Sequence, residues 1–419
     1  MQSKTKLRKL GVGELINRKD IYETVDDIIK ETPKYINAKV LENAVMDVGG
    51  QKFKITRDQI ITMPIYMFAD AERAKTTRRV ILKPHKTTFK SQFRRYYGQD
   101  LNNKTLLISR TGGIGDLIFI QPMIKYLKAK YPTCKILFAT APKNMDLFYF
   151  YPEGLIDRVI PIPFDQKAMF MANYHLMFDG VIESCKEAER VNAYDLMNKT
   201  AGLNIDMTKQ MWCPELTTNT SFVKGFEQKY FVRLPENTII LQMSTSSMLR
   251  TASMEFWRLL IEQLIKETDF NFVILDRPER STYYDKFIAA YFKDSPGRIT
   301  NASSSSETIA HACYVLSKCH GVVGLDSSFS HIGAAFGKPT LTLYGPFTGD
   351  TRVKYYKNSE WVQPDKNILK CDKYPCFLHD DRITQCKMVR ALDNTPNCMN
   401  SINTDEVVKK FKTLMAGEK

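Results

Sequence analysis

From residue 104 onward the chain repeats one pattern, and that pattern restricts it to parallel sheets flanked by helices. KTLLISR reads as a short apolar strand, TGGIGD as a glycine-rich turn, LIFIQPMIKYLKAKYP as a helix closed at Pro132, and KILFAT as the next strand. Strand, loop, helix and strand in that order form the unit of a doubly wound sheet, because parallel neighbours need a crossover and a helix provides it. The pattern returns after Pro235. NTIILQM is a strand, STSSMLRTAS a polar loop, MEFWRLLIEQLIKET a helix and FNFVIL a strand; HGVVGL, DSSFS, HIGAAFG and KPTLTLYGP continue it. The expectation is an α/β protein with two Rossmann-like domains, at 101–235 and 236–419, whose strand ends face a cleft.

Residues 1–100 fall outside that pattern and read as a basic N-terminal α+β extension. IYETVDDIIKETPKYI has polar helical texture, and AVMDVGGQKFKIT suggests a strand pair turning at Gly49-Gly50. The net charge of +14 is concentrated nearby: residues 51–150 hold 19 Lys and Arg against 6 Asp and Glu. Such a block is either a solvated face or a surface for an anionic partner, such as phosphorylated glycolipid, nucleic acid or a membrane surface. No apolar run approaches the roughly 20 residues that span a bilayer, so membrane contact is expected to be peripheral and no transmembrane segment is expected. MQSKTKLRKL lacks the apolar stretch of a secretory signal. Nine cysteines, most of them single in apolar segments, suit reduced thiols and a cytoplasmic location.

The first glycine-rich turn excludes several chemistries. The segment ILFATAPKN supplies no acid after the second strand, so RTGGIGD is not a dinucleotide fingerprint. It lacks the Gly-Lys-Ser/Thr of a phosphate-binding P-loop and the serine of an esterase elbow. Gly112, Gly113 and Gly115 allow close backbone approach, and the helix start behind them offers free N–H groups. Asp116 follows Arg110 by six residues. It is either a first-turn cap or a carboxylate set to accept a proton from an incoming hydroxyl.

The densest segment is GVVGLDSSFSHIGAAFGKPTLTLYGP. Its strand ends at Asp326, Ser327 and Ser328 line the turn, and His331 opens a helix of small residues slim enough to lie close on a sheet. Amides, hydroxyls and an imidazole at a helix start suit a diphosphate, although caps and a core histidine are the plainer reading. Ser244 and Arg250 occupy the matching loop of the preceding unit, and Arg250 is either a leaving-group cation or a solvent-facing charge. Glu279, close after Asp276 and Arg277, sits where an acid commonly meets ribose hydroxyls.

Together these two segments resemble glycosyltransferase family 9, the ADP-heptose:lipopolysaccharide heptosyltransferases. RTGGIGDLIFIQP matches that family's R-x-x-x-x-G-D with Pro122 in register, and DSSFSHIGAAFGKPTLTLYGP matches its later signature. The match covers about residues 104–415. The resemblance implies a GT-B fold with an acceptor-side N-terminal domain, a donor-binding C-terminal domain and metal-independent inverting transfer. It also implies Asp116 as catalytic base and Ser327, Ser328 and His331 as diphosphate contacts. Two departures stand out: Ser328 replaces a glycine, and Arg250-Thr251-Ala252-Ser253 replaces the family's Lys-Arg-Trp-Pro.

The reading is therefore an inverting glycosyltransferase using a nucleotide-diphosphate sugar, ADP-sugar favoured, with no cofactor required. Its acceptor is anionic: lipopolysaccharide core, or alternatively hydroxylated bases in DNA. A different class is an inactive nucleic-acid-binding module. Cys371, Cys376, Cys386 and Cys398 have spacings that offer only one marginal metal-type pair, so they are either buried free thiols or a zinc site.

Overall fold

The computed structural model describes residues 23–27, 35–48, 51–64, 67, 82–85, 94–165, 170–183, 185–227, 229–230, 233–378 and 385–417. The chain divides into two compact units. One comprises residues 1–148 and 153–212, the other residues 149–152 and 213–419.

In the N-terminal unit, strands β1 (Tyr35–Val40), β4 (Ile60–Pro64) and β5 (Leu82–Pro84) form an antiparallel sheet, while β2 (Ala44–Val48) and β3 (Gln51–Ile55) pair separately. Val48 faces Gln51 in that hairpin, so its turn falls at positions 49 and 50, as the glycine pair suggested; those two residues lie outside the described set. Of the expected helical stretch before it, a turn at residues 25–27 is described, and Tyr35 and Ile36 belong to β1 instead. Alternate residues of β1 and β4 bury Ala38, Val40, Ile61 and Met63 in a small apolar core.

Beyond this sheet, β6 (Arg94–Arg95), β7 (Thr105–Arg110), β8 (Lys135–Thr140), β9 (Arg158–Pro161) and β11 (Tyr174–Met177) build a parallel sheet in the order β6-β11-β7-β8-β9. The helix Ile114–Lys130 crosses from β7 to β8 and buries Leu117, Ile118, Ile120, Met123, Ile124 and Leu127. The short strand β10 (Phe164–Asp165) returns to pair with β4. Tyr35 of β1 sits in the same apolar cluster as Leu107, Leu137 and Ile160, so the antiparallel and parallel sheets share a core.

The second unit holds a six-stranded parallel sheet in the order β14-β13-β12-β15-β16-β17. Its strands are β12 (Thr238–Gln242), β13 (Asn271–Ile274), β14 (Ile299–Asn301), β15 (Gly321–Leu325), β16 (Thr340–Leu343) and β17 (Ser359–Val362). The order reverses between β12 and β15, which is the switch point where such sheets bind ligands at their carboxyl ends. Ser253 caps the helix Met254–Glu267, accepting the Phe256 N–H at 3.1 Å. That helix and the C-terminal helix Thr404–Met415 bury Trp257, Leu260, Leu264, Val407 and Phe411 against the strands.

The helix Ser328–Ala335 begins three residues earlier than the sequence pattern suggested, because Ser327 caps it. Its small residues have a steric reason. A Cβ on Gly333 would stand 2.7 Å from Val322 Cγ2 and 3.2 Å from Thr340 Oγ1, so the helix lies almost backbone-to-side-chain on β15 and β16. Gly333→Ala should therefore lower stability by about 1–3 kcal/mol through overpacking. Urea unfolding would show it as an earlier midpoint at unchanged slope. An unchanged midpoint would mean that Val322 yields without cost.

Candidate active site

In the N-terminal unit the parallel pairing of β11 with β7 sets Met177 beside Ser109, which brings the chain after β11 alongside Arg110. Arg110 closes β7 and is only 1% exposed. Both terminal nitrogens of its guanidinium are paired, while Nε makes no hydrogen bond among the described residues. Nη1 donates to the Phe178 carbonyl at 2.9 Å and to Glu183 Oε2 at 3.2 Å, while Nη2 donates to Asp116 Oδ2 at 2.5 Å and to Glu183 Oε1. Burial opposes the Arg110 charge, but Asp116, Glu183 and Asp179 outweigh it and hold the guanidinium protonated well above its ordinary range. Burial pushes the Glu183 carboxyl up, opposed by Arg110 and reinforced by the Asp116 charge.

Asp116 occupies the first turn of its helix, where Oδ2 also accepts the Gly113 N–H at 3.1 Å. The cap reading and the carboxylate reading therefore coexist in one side chain: Oδ2 is committed, while Oδ1 makes no hydrogen bond among the described residues. Gly113 is the extended residue preceding the helix, and Gly115 lies in its first turn. Gly112 has a different purpose from ligand approach. A Cβ there would fall 2.5 Å from Arg110 Nη2, so the missing side chain makes room for the guanidinium. Asn144 Nδ2 fixes this loop through the Gly112 carbonyl at 2.9 Å.

Two acids in this group, Asp179 and Glu183, were not singled out in the sequence. Asp179 Oδ1 accepts both the Thr111 N–H at 2.8 Å and the Thr111 hydroxyl at 2.5 Å. The available signal was FDGVIE following a short strand, which becomes informative only once β11 is known to lie next to β7. Behind β7, the Tyr35 hydroxyl bonds Ser109 Oγ, and burial raises that phenol's proton affinity.

The second unit gathers most of the residues expected to hold a donor. Asp326, 5% exposed, ends the segment after β15, and Arg250 Nη1 donates to its carbonyl at 2.8 Å with Oδ2 at 3.6 Å. Arg250 Nη2 reaches Ser246 Oγ at 3.3 Å. Ser327 Oγ accepts the Phe329 N–H at 3.3 Å and donates to Gln242 Oε1 at 2.7 Å, joining the helix start to the end of β12. Ser328 is the half-buried first residue of the helix. His331 is buried one turn further in, its ring 6.4 Å from that of Tyr356.

Ser244 serves a neighbouring group: with the Tyr284 hydroxyl at 2.6 Å it donates to Asp276 Oδ2, which is thereby fixed at the end of β13. Glu279 stands exposed on the short turn Pro278–Arg280. The four C-terminal cysteines do approach one another electrostatically. Burial, then the sulfurs of Cys376, Cys386 and Cys371, push the Cys398 thiol up to about 12. Among the described residues, however, no group of three or more His, Cys, Asp or Glu is arranged to hold a metal ion.

Residues 203–380, containing the Asp326–Pro346 segment, match the model of Glycosyltransferase family 9 (heptosyltransferase). Over that segment the chain is similar to the family 9 glycosyltransferases. Solved structures extend the likeness as one of fold. The ADP-heptose lipopolysaccharide heptosyltransferase II of E. coli aligns at 14% identity and TM-score 0.54, covering 75% of this chain and 99% of its own. A family 9 glycosyl transferase from Veillonella parvula aligns at 12% identity and TM-score 0.52, covering 76% and 99%. TibC of enterotoxigenic E. coli, an iron-containing dodecameric glycosyltransferase, aligns at 11% identity and TM-score 0.53 over 93% of both chains. No curated sequence matches the chain significantly. The fold, with its two parallel sheets, is thus GT-B-like, and the TibC alignment also takes in much of the region before β7.

The Arg110 group makes a direct prediction. Gly112→Ala should push the guanidinium off its acceptors, because a side chain sealed by this many partners has nowhere to retreat. Breaking a buried ion pair costs about 3–5 kcal/mol, so denaturant unfolding should register a loss of that order. A variant as stable as the parent would show that the loop moves and the guanidinium stays.

Proposed function

We propose that this chain is a family 9 glycosyltransferase, an inverting enzyme moving a heptose-like sugar from an ADP-sugar to an anionic acceptor such as lipopolysaccharide core. The carrying observation is the cluster at the switch point of the second sheet, inside the segment that matches the family. There Arg250, the Asp326 backbone and the Ser327-capped helix start converge. Peptide N–H groups and a guanidinium at one helix terminus suit the two phosphates of a nucleotide diphosphate. ADP as the nucleotide is supported by TibC, whose fold this chain follows and which has been crystallised with ADP-D-β-D-heptose.

In this reading the acceptor oxygen attacks the anomeric carbon as Asp116 takes its proton, and the bond to the diphosphate breaks with its electrons on the leaving oxygen. Arg250 and the start of the helix Ser328–Ala335 stabilise the negative charge that develops there. Ser328 and His331 line the same turn. Ser244 and Glu279 belong to the donor side of this proposal, Ser244 by orienting Asp276. No step is routed through a metal. TibC is an iron-containing glycosyltransferase; among the described residues of this chain no group of three or more His, Cys, Asp or Glu is arranged to hold a metal ion.

Lipopolysaccharide core is preferred as acceptor because the family link supports it. The DNA-modifying and nucleic-acid-binding readings rest on the basic stretch from Arg73 to Arg95, most of which lies outside the described residues. No helix among the described residues is long and apolar enough to cross a membrane, and all nine cysteines are free. A reducing, cytoplasmic setting with peripheral contact to the acceptor's membrane accords with both.

Two substitutions test the assignment. Asp116→Asn should lower kcat by about 100-fold or more while ADP affinity by calorimetry stays unchanged, since a base acts only in the transition state. Near-normal kcat would reduce Asp116 to a helix cap. Arg250→Ala should weaken donor binding and slow transfer together, by about 2–4 kcal/mol in kcat/KM. Unaltered kinetics with ADP-heptose would remove Arg250 from the donor site.

A further inference from the structure

The proposed base shares its guanidinium with a second carboxylate. Nη2 of Arg110 bonds Asp116 Oδ2 and Glu183 Oε1, and Nη1 turns to Glu183 Oε2 and the Phe178 carbonyl. Glu183 therefore takes both nitrogens and Asp116 only one. A cap or a simple charge pair would need no such arrangement. Arg110 is buried, and Asp116 and Glu183 keep 18% and 17% of their side chains exposed, so the group reaches solvent through its carboxylates.

We propose that Glu183 is a positioning residue for proton transfer, drawing the Arg110 charge away from Asp116 so that Asp116 remains basic enough to take the acceptor's proton. The inference rests on Asp116 being the base. Oδ2 of Asp116 is held by Arg110 and the Gly113 N–H, which fixes the carboxylate plane and leaves Oδ1 for the hydroxyl. As the acceptor O–H bond breaks and the oxygen bonds the anomeric carbon, the proton goes to Oδ1. A carboxylate facing an unshared guanidinium resists that proton, since the charge favours its ionised form. With Glu183 engaged, the three groups carry one net negative charge and the resistance falls. Protonating Asp116 then leaves Arg110 and Glu183 as a complete ion pair.

The other charged and titratable groups facing this cluster are few. Asp179 adds negative charge towards Arg110 while bonded to Thr111, and the buried Tyr35 phenol faces Asp179 from β1. Burial raises the Glu183 carboxyl. Falling pH thus neutralises the carboxylate that shares the Arg110 charge.

The test is the pH profile of kcat for the full chain with saturating ADP-heptose and acceptor, using Glu183→Gln, Glu183→Asp and Asp116→Asn. In Glu183→Gln the whole Arg110 charge falls on Asp116. Its kcat at neutral pH should drop about tenfold or more, and the acid limb should move to lower pH by about one unit, with donor KM within about twofold. Glu183→Asp keeps a carboxylate and should fall between. A purely structural loss would lower kcat without carrying the acid limb downward, and that result overturns the proposal. So does a Glu183→Gln enzyme with normal kcat and an unmoved limb while Asp116→Asn is inactive, because the base then stands without its tuning partner. An active Asp116→Asn enzyme removes the base itself and the inference with it. Should Glu183→Gln fail to show a cooperative thermal transition, Glu183→Asp decides: a limb displaced towards acid supports the proposal, an unmoved one overturns it.

Discussion

A guanidinium that is 1% exposed must be matched by charge and hydrogen bonds in place, and much of the N-terminal unit answers to that demand. Taking an ion of this size out of water costs several kcal/mol even after relaxation, so burial is tolerable only with well-placed acceptors. Here three groups from two segments supply them: the helix after β7 gives Asp116, and the chain after β11 gives the Phe178 carbonyl and Glu183. The parallel register of β7 and β11 is what lets those segments meet. The glycine at 112 follows from the same demand, because the space its Cβ would fill is occupied by the guanidinium.

The elements carrying strong periodicity were legible in advance. The strands at 105–110, 135–140, 238–242 and 321–325 and the helix at 254–267 fall within segments whose apolar pattern and punctuation named them, while the helix Ile114–Lys130 starts three residues before its apolar run, inside the segment read as a glycine-rich turn. The proximity of Arg110 to Asp116 was also visible, since six residues separate them across a tight turn. The position of Glu183 was not. It lies 73 positions from Arg110 in sequence, and β11, which delivers it, has four residues with two half-buried, too short for a period to emerge. Arg250 and Asp326, 76 positions apart, were instead both singled out, Arg250 in the polar loop after one recognisable strand and Asp326 at the end of another.

The two units fix their polar groups by different means. In the first, charge is balanced by charge around Arg110. In the second, neutral groups dominate: Ser327 with Gln242, Ser330 with the Leu325 carbonyl at 2.9 Å, and Ser244 with Asp276. Arg250 is the exception, and its bond to Asp326 is mainly to the backbone carbonyl rather than to the carboxylate at 3.6 Å. A guanidinium so placed is held in position by a backbone carbonyl, with the nearby Asp326 carboxylate offsetting part of its charge. That difference suits the proposed division of labour: Arg250 faces one carboxylate at 3.6 Å and keeps more of its charge for a diphosphate, whereas Arg110 is shared between two carboxylates in direct contact.

The region before β7 is bound into the same logic. Strand β4 pairs with β10, a segment more than 100 residues later, so the antiparallel sheet is completed only when the chain beyond β9 has returned. Tyr35 of β1 reaches through the shared core to Ser109, the residue preceding Arg110. Ser109 is fully buried, and a buried hydroxyl without a partner costs about 1–3 kcal/mol. The tyrosine satisfies it and at the same time closes the back of the strand that ends in the clamp. A domain cut away at residue 100 would leave that hydroxyl unpaired beside the most charge-dense part of the unit. The extension is therefore a structural wall of the acid cluster, whatever its basic surface binds.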